Sequence, residues 1–353
     1  MHASPIHAVP KLHSDKLWMV IYQSARLFPP NSIIKCEDIR GFPLYNMAHL
    51  SEGLICQHRT KPSQSWVIYK SNISEAYHLL PMHPLWQIKQ IVTIDRQWDV
   101  DHNNCFGGRG SPAIYISFSS LVTWITQHVE LIEDIWTYMD DSFSIDKENI
   151  LWYHKYEKYL PANQVKLLSL WDDLGVPHQP HKQIFSSTLT IIGIYVNMNS
   201  LTFTLPKQAL DELLQEIEDF AVWSEWKHGA SWSLWKRQWL ASWMYWGLNI
   251  FPLLKPALNR LYPKIAGKDW PLTKIWVNNT VQEDLKWAMH HMQLHLASMC
   301  FPVWHGKLRM QMQSSSVMPA WKGSLFIILT ALLASMPLSQ ITLPETSFST
   351  MKP

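Results

Sequence analysis

Asp140 and Asp141 stand side by side in the string WTYMDDSFS (Trp136 to Ser144), with apolar residues on both sides. The stretch Ile135 to Phe143 reads as a β-hairpin whose tip is Tyr138-Met139-Asp140-Asp141. Two carboxylates a few ångströms apart raise each other's pKa unless something positive lies between them. A divalent cation is the usual resolution, and Mg²⁺ suits it because it takes hard oxygen ligands and keeps part of its shell for phosphates. The chemistry such a tip supports is metal-assisted phosphoryl or nucleotidyl transfer. Its bland counterpart is a solvated acidic turn, against which the flanking apolar strands argue.

Other candidate chemistry is weaker. Cys36, Cys56, Cys105 and Cys300 form no CxxC pair, which fits a reducing compartment rather than a zinc or disulfide framework. His291 and His295 share a helix face, but the residues between them lack a Glu and no third ligand is apparent. A surface histidine pair is the expectation.

The elements that must hold the acidic tip follow from patterning. A strand within residues 11–34 leads to the Pro29-Pro30-Asn31-Ser32 breaker, 36–58 is weakly helical, and Trp66 to Tyr69 is a strand running into a short turn closed by Pro81 to Pro84. Ile88 to Thr93 is β-rich. Gly107, Gly108 and Gly110 precede a helix over Ala113 to Val129, and a second helix spans Tyr153 to Leu174, stopping at Gly175. Residues 189–205 predict two strands joined at Asn197 to Ser200, and Pro206 opens a long helix, after which helices dominate to about Ser298. Trp232, Trp235, Trp239, Trp243 and Trp246 fall on one helical face, with core packing the expectation and a nucleic-acid groove beside Lys236 or Arg237 the alternative.

The 353 residues are 47% hydrophobic and 12% aromatic, with 20 Trp and only 16% charged residues. Such a chain is neither disordered nor fibrous, and its length provides for two or more units with cores. A net charge of +2 neither demands nor excludes nucleic acid. The first thirty residues carry no secretory signal, and the longest apolar run, Leu325 to Met336, falls short of the roughly 20 residues of a membrane span. An intracellular protein, cytoplasmic or nuclear, is expected.

Around the acidic tip, the order of several segments resembles the palm of reverse transcriptases. WTYMDDSFS is similar to that family's central motif. KSNISEAYHLLPMHP (Lys70 to Pro84) resembles its first carboxylate motif, CFGGRGSPAIY (Cys105 to Tyr115) its glycine and Ser-Pro motif, and LGVPHQPHK (Leu174 to Lys182) and LTIIGIYV (Leu189 to Val196) its last palm motif and primer-grip hairpin. FPLLKPALNRLYPKIAGK (Phe251 to Lys268) and WQIKQIVTID (Trp86 to Asp95) look like retroelement polymerases of fungal genomes. The match covers roughly residues 10–265.

The resemblance implies an α+β right-hand polymerase, with fingers in 1–65 and 81–112, palm in 66–80 and 113–205, thumb in 206–268, and a helical connection-like segment and irregular tail in 269–353. It implies that Asp140 and Asp141 bind two Mg²⁺ ions, that Tyr77 is the steric gate under the sugar, and that Phe106 and Gly107 lie against the nascent base pair. Lys182 would stand near the leaving pyrophosphate, and Ile192 and Gly193 would form the primer grip. The implied partners are an RNA or DNA template with primer and deoxynucleoside triphosphates, with no membrane. One departure is serious: Asn72 stands where the family has its first metal-binding Asp, and neither Glu75 nor Asp95 falls at that position. Impaired RNA-directed DNA synthesis is therefore the expectation, and its rival is a non-catalytic remnant or nucleic-acid-binding module with the same fold. Beyond Asp284 the only acidic residue is Glu345, too few carboxylates for an RNase H centre.

Overall fold

A computed structural model describes residues 3–300 apart from 11–16, 26–27, 36, 40–43, 227–231, 269, 271, 276–277 and 295–298. The 325–336 run, Glu345 and His295 lie outside the described residues. The chain opens with a two-stranded pair, β1 (Ile6–Pro10) and β2 (Leu17–Ile21), followed by α1 (Met47–Thr60), β3 (Trp66–Asn72), the short α2 (Pro84–Gln87) and the hairpin β4 (Ile91–Ile94) and β5 (Gln97–Val100). Next come α3 (Ser111–His128), the hairpin β6 (Ile135–Tyr138) and β7 (Asp141–Lys147), a second hairpin β8 (Ile150–Tyr153) and β9 (Lys158–Pro161), and α4 (Ala162–Asp173).

The central sheet is antiparallel, with order β10-β3-β7-β6, where β10 is Ile184–Ser186. It is covered on both faces. Ile68, Phe143 and Ile145 join the core that holds Leu50 and Leu54 of α1, whereas Tyr69 and Ile73 pack with Leu167, Leu168 and Trp171 of α4. Burial on both faces explains why β3 and β7 read as nearly continuous buried runs rather than alternating ones.

A second antiparallel sheet runs β11 (Thr188–Ile191), β12 (Ile194–Asn197), β13 (Thr202–Thr204) and β16 (Met299–Cys300). Its core is continuous with that under α5 (Lys207–Trp226), α6 (Leu234–Gly247) and α8 (Asn279–Leu294), with β14 (Trp232–Ser233) pairing β15 (Lys274–Ile275) and α7 spanning Tyr262–Ile265. The mixture of helices and antiparallel strands is α+β, and among the described residues no helix is long and apolar enough to cross a membrane.

Three sequence expectations need correction. The helix expected from Tyr153 begins only at Ala162, because Pro161 cannot occupy a helix interior and the aromatic-rich stretch before it pairs as β8 and β9. Residues 189–205 form three strands, because Ile192 (φ 49°) and Gly193 (φ 78°) both take left-handed backbone and turn the chain after four residues. Trp232 lies in β14, outside the helix that holds the other tryptophans.

Candidate active site

Asn72, Asp140 and Asp141 converge because of strand register. β3 ends at Asn72, which stands directly opposite Asp141 on β7, and Asp141 in turn faces Tyr138 on β6. The Ile73 N–H donates to the Asp140 carbonyl at 2.9 Å, tying the hairpin tip to the end of β3. Met139 at that tip is buried and has φ 52°. A non-glycine residue there carries roughly 1–3 kcal/mol of strain, held in place by the surrounding packing.

The Asn72 side chain lies between the two carboxylates. Its amide nitrogen donates to Asp140 Oδ2 and, at 2.7 Å, to Asp141 Oδ1, while its carbonyl oxygen accepts from Lys182 Nζ at 2.7 Å. Only this amide orientation turns donors to the carboxylates and the acceptor to the ammonium. Gln183 is fully buried and donates from Nε2 to the Asn72 backbone carbonyl at 3.3 Å. The Lys70 ammonium donates to the Thr190 carbonyl at 3.3 Å, and burial lowers its pKa against a smaller opposing effect of Asp140. Two cationic side chains thus stand with two carboxylates around a neutral amide.

Tyr77 packs beneath this end of the sheet, 5% exposed, with its ring 4.7 Å from Phe106 and 5.6 Å from Tyr115. Burial, and then the charge of Asp140, raises the pKa of the Tyr77, Tyr115 and Tyr138 hydroxyls. All three stay protonated at neutral pH. Gly107 has φ 116°, and a Cβ there would lie 1.8 Å from the Ile21 carbonyl. The backbone of β2, whose Ile21 N–H also bonds the Phe106 carbonyl at 2.9 Å, therefore requires this glycine irrespective of any ligand.

Ile192 and Gly193 form the tip of the β11–β12 hairpin. The Trp246 indole N–H donates to the Ile192 carbonyl at 3.2 Å, and a Cβ on Gly193 would come 2.9 Å from the same ring. Trp246 is buried, while Trp239 and Trp243 are half-buried against the core with centroids 4.8 Å apart. Core packing holds for these three. Of the two cations expected beside them, Lys236 is exposed, but Arg237 is 2% exposed, lies over the Phe220 ring and donates to the Ile275 carbonyl. Arg237 is thus withdrawn from any surface groove.

Glu75 is exposed on the turn after β3, and Asp95 is exposed at the tip of the β4–β5 hairpin. Among the described residues no group of three or more His, Cys, Asp or Glu side chains could hold a metal ion. Sequence reasoning missed Gln183 and Trp246 as supports of the site, since each acts on residues more than fifty positions away and neither belongs to a recognisable motif.

No protein-family model matches the chain, and no curated protein matches it. Solved structures do. A foamy viral protease-reverse transcriptase in complex with double-stranded DNA superposes with a TM-score of 0.53 at 15% identity, covering 84% of this chain and 44% of that one. A second such complex gives the same TM-score and identity, covering 52% of that chain. The same kind of protein in complex with an RNA/DNA hybrid aligns at TM-score 0.53 and 16% identity, covering 34% of that chain. This chain spans about half or less of the length of these neighbours. The likeness establishes an α+β polymerase-like fold.

Proposed function

We propose that this chain is the RNA-directed DNA polymerase (reverse transcriptase) region of a retroelement of the fungal type, impaired at its catalytic centre. In this reading residues 66–80 and 113–205 form the palm, 1–65 and 81–112 the fingers, 206–268 the thumb, and a connection-like segment begins at 269. The partners are an RNA or DNA template with primer and deoxynucleoside triphosphates. Tyr77 backs the sugar, Phe106 and Gly107 lie near the nascent pair, and the Ile192-Gly193 tip grips the primer. The ancestral reaction is attack of a primer 3′-hydroxyl on an α-phosphate, with pyrophosphate leaving beside Lys182 as acid or charge stabiliser.

The observation that carries the reading is the convergence of Asn72, Asp140, Asp141 and Lys182 at the open end of the sheet. In the family this chain resembles, the position held here by Asn72 carries a carboxylate that would help hold the two Mg²⁺ ions, which would stabilise the attacking and leaving oxygens. Here Asn72 turns N–H donors toward both aspartates, so the native donor set does not fit two ions. That same contact favours a second reading, a non-catalytic nucleic-acid-binding module that keeps the fold. Primer extension on homopolymer RNA with Mg²⁺ or Mn²⁺ separates the two. Asn72→Asp should raise extension by about 10² or more, equivalent to roughly 2.7 kcal/mol, and Asp140→Asn in that background should abolish the gain. A folded, nucleic-acid-binding Asn72→Asp protein that extends nothing would hand the chain to the second reading.

A further inference from the structure

The segment that carries Lys182 to Asn72 runs from the end of α4 to β10, and it is fixed from two sides. Its start is a helix stop with left-handed Gly175 (φ 68°), where Gly175 N–H bonds the Asp172 carbonyl at 3.1 Å and Val176 N–H the Trp171 carbonyl at 2.7 Å. The Pro177 carbonyl then accepts from Ser74 N–H at 2.8 Å, and His178 forms an antiparallel bridge with Ile73, the residue after Asn72. On its other side the His178 side chain, wholly buried, enters a polar cluster away from the carboxylate pair. Its Nε2 lies 3.0 Å from Asp172 Oδ1 and its Nδ1 meets the Tyr156 hydroxyl. Asp172 also accepts from the Tyr153 hydroxyl and the Lys155 ammonium.

The protonation pattern of this cluster follows from its donors. Against the burial that would raise it, hydrogen bonds from Lys155, Tyr153 and His178 hold the Asp172 carboxyl below the usual carboxylate range. Burial, and then the Lys155 ammonium, holds the imidazole below its ordinary 6.5 against the opposing pull of Asp172. Burial raises the Tyr156 hydroxyl to about 12, with Asp172 adding to it, and pushes Tyr153 up as well. At neutral pH, then, an ionised Asp172 accepts Nε2–H from a neutral imidazole, and Nδ1 accepts the Tyr156 O–H. A second proton on Nδ1 would make the Tyr156 hydroxyl turn from donor to acceptor, its own proton pointing away from the imidazole, and would place a buried cation near Lys155.

We propose that His178 is a positioning residue: its neutral imidazole, held between Asp172 and Tyr156, locks residues 174–183 so that Lys182 stays on Asn72, and protonation releases that segment. The inference concerns how Lys182 is held and stands whether or not the chain polymerises. The groups facing the imidazole are Asp172 of α4, Lys155 and Tyr156 of the turn between β8 and β9, and Tyr153 of β8. The rings of Trp171, Tyr153 and Tyr156 pack around it, with centroids 5.8, 6.4 and 5.4 Å away.

The test is amide hydrogen exchange of the 174–183 segment in the full chain, corrected for intrinsic rate, between pH 7.5 and 5. Protection should fall by about tenfold per pH unit once His178 begins to bind its proton, while β3 keeps its protection. His178→Gln, which can donate to Asp172 and accept from Tyr156 without titrating, should show a flat profile. Tyr156→Phe, which removes the hydroxyl that opposes a proton on Nδ1, should bring the folded-state pKa toward 6.5 and shrink the loss of protection. A flat wild-type profile, or the same pH dependence in His178→Gln, overturns the proposal. Should His178→Gln not fold, imidazole NMR of the wild-type protein decides: a His178 titrating at 6.5 or above overturns the proposal, and a lower midpoint, with the loss of protection falling between it and 6.5, supports it.

Discussion

The chain handles carboxylates in two places on either side of residues 174–183, and the two solutions differ. Asp172, although Asp173 follows it in the chain, has three side-chain donors converging on it alone, from β8, the following turn and the adjoining segment. Asp140 and Asp141 stand together, and what separates them is one neutral amide backed by one ammonium. In the first arrangement the buried imidazole depends on its partners: remove Asp172 or Tyr156 and a nitrogen of His178, shielded from solvent, loses its match. In the second, Asn72 is a neutral donor set between two negative charges. A cluster that ties three segments together supports the fold, and a carboxylate pair bridged by one amide retains the outline of a reaction.

The contrast can be broken most severely at Asn72. Without metal, Asn72→Asp replaces two donors with a third negative charge and should lower stability by about 3 kcal/mol or more. Saturating Mn²⁺ should restore most of it. Urea unfolding with and without chelator measures both, and a loss that metal does not relieve would show that the pair cannot accept a cation.

At the other cluster Asp172→Asn should cost about 2–3 kcal/mol, since Tyr153, Lys155 and His178 then compete for one carbonyl. Here metal should change nothing. A variant within a few tenths of a kcal/mol of wild type would reduce the cluster to a solvated surface group.

Acid should dissect the Asp172 cluster in two stages. The folded-state pKa of His178 is depressed, so the unfolded chain binds its proton more readily and stability falls as pH drops below 6.5. Asp172 is depressed too, so its contribution is present above 3.8 and disappears as pH falls through the lower folded value. Thermal midpoints between pH 8 and 3 should therefore show an upper decline that His178→Gln removes and a lower decline that Asp172→Asn removes. A curve with only the lower decline in the wild type contradicts the first assignment.

The smallest effect belongs to Lys182→Met. It deletes the hydrogen bond to the Asn72 side-chain carbonyl while the amide keeps its contacts to both aspartates, so about 1–2 kcal/mol is expected in unfolding experiments. A loss matching that at Asn72 would mean the ammonium, not the amide, is what keeps the aspartates apart.

Much of this arrangement is legible in the residues. The hairpin at Ile135 to Phe143, the strand ending near Asn72, and the helix opened by Pro206 each have a local cause: flanking apolar residues, turn chemistry or a proline. What failed had a non-local cause. Ile192 is β-branched and looks like strand interior, yet it turns in left-handed backbone because Trp246, 54 residues on, anchors its carbonyl. Arg237 looks like a groove cation, yet it is drawn inward by the Phe220 ring and a carbonyl on β15. The absence of an aspartate at position 72 is visible in the string, but that its amide would span both carboxylates depends on the register of β3 against β7.

The Trp246 indole has a mechanical consequence. One N–H and one ring face join the β11–β12 tip to α6, so the hairpin and the helix travel as a single lever. Tilting α6 would not open a gap at the tip. The displacement would instead be absorbed at Leu205-Pro206, where β13 gives way to α5, and at the Lys70 contact with Thr190. The Lys70 end of that pivot feels the charge of Asp140.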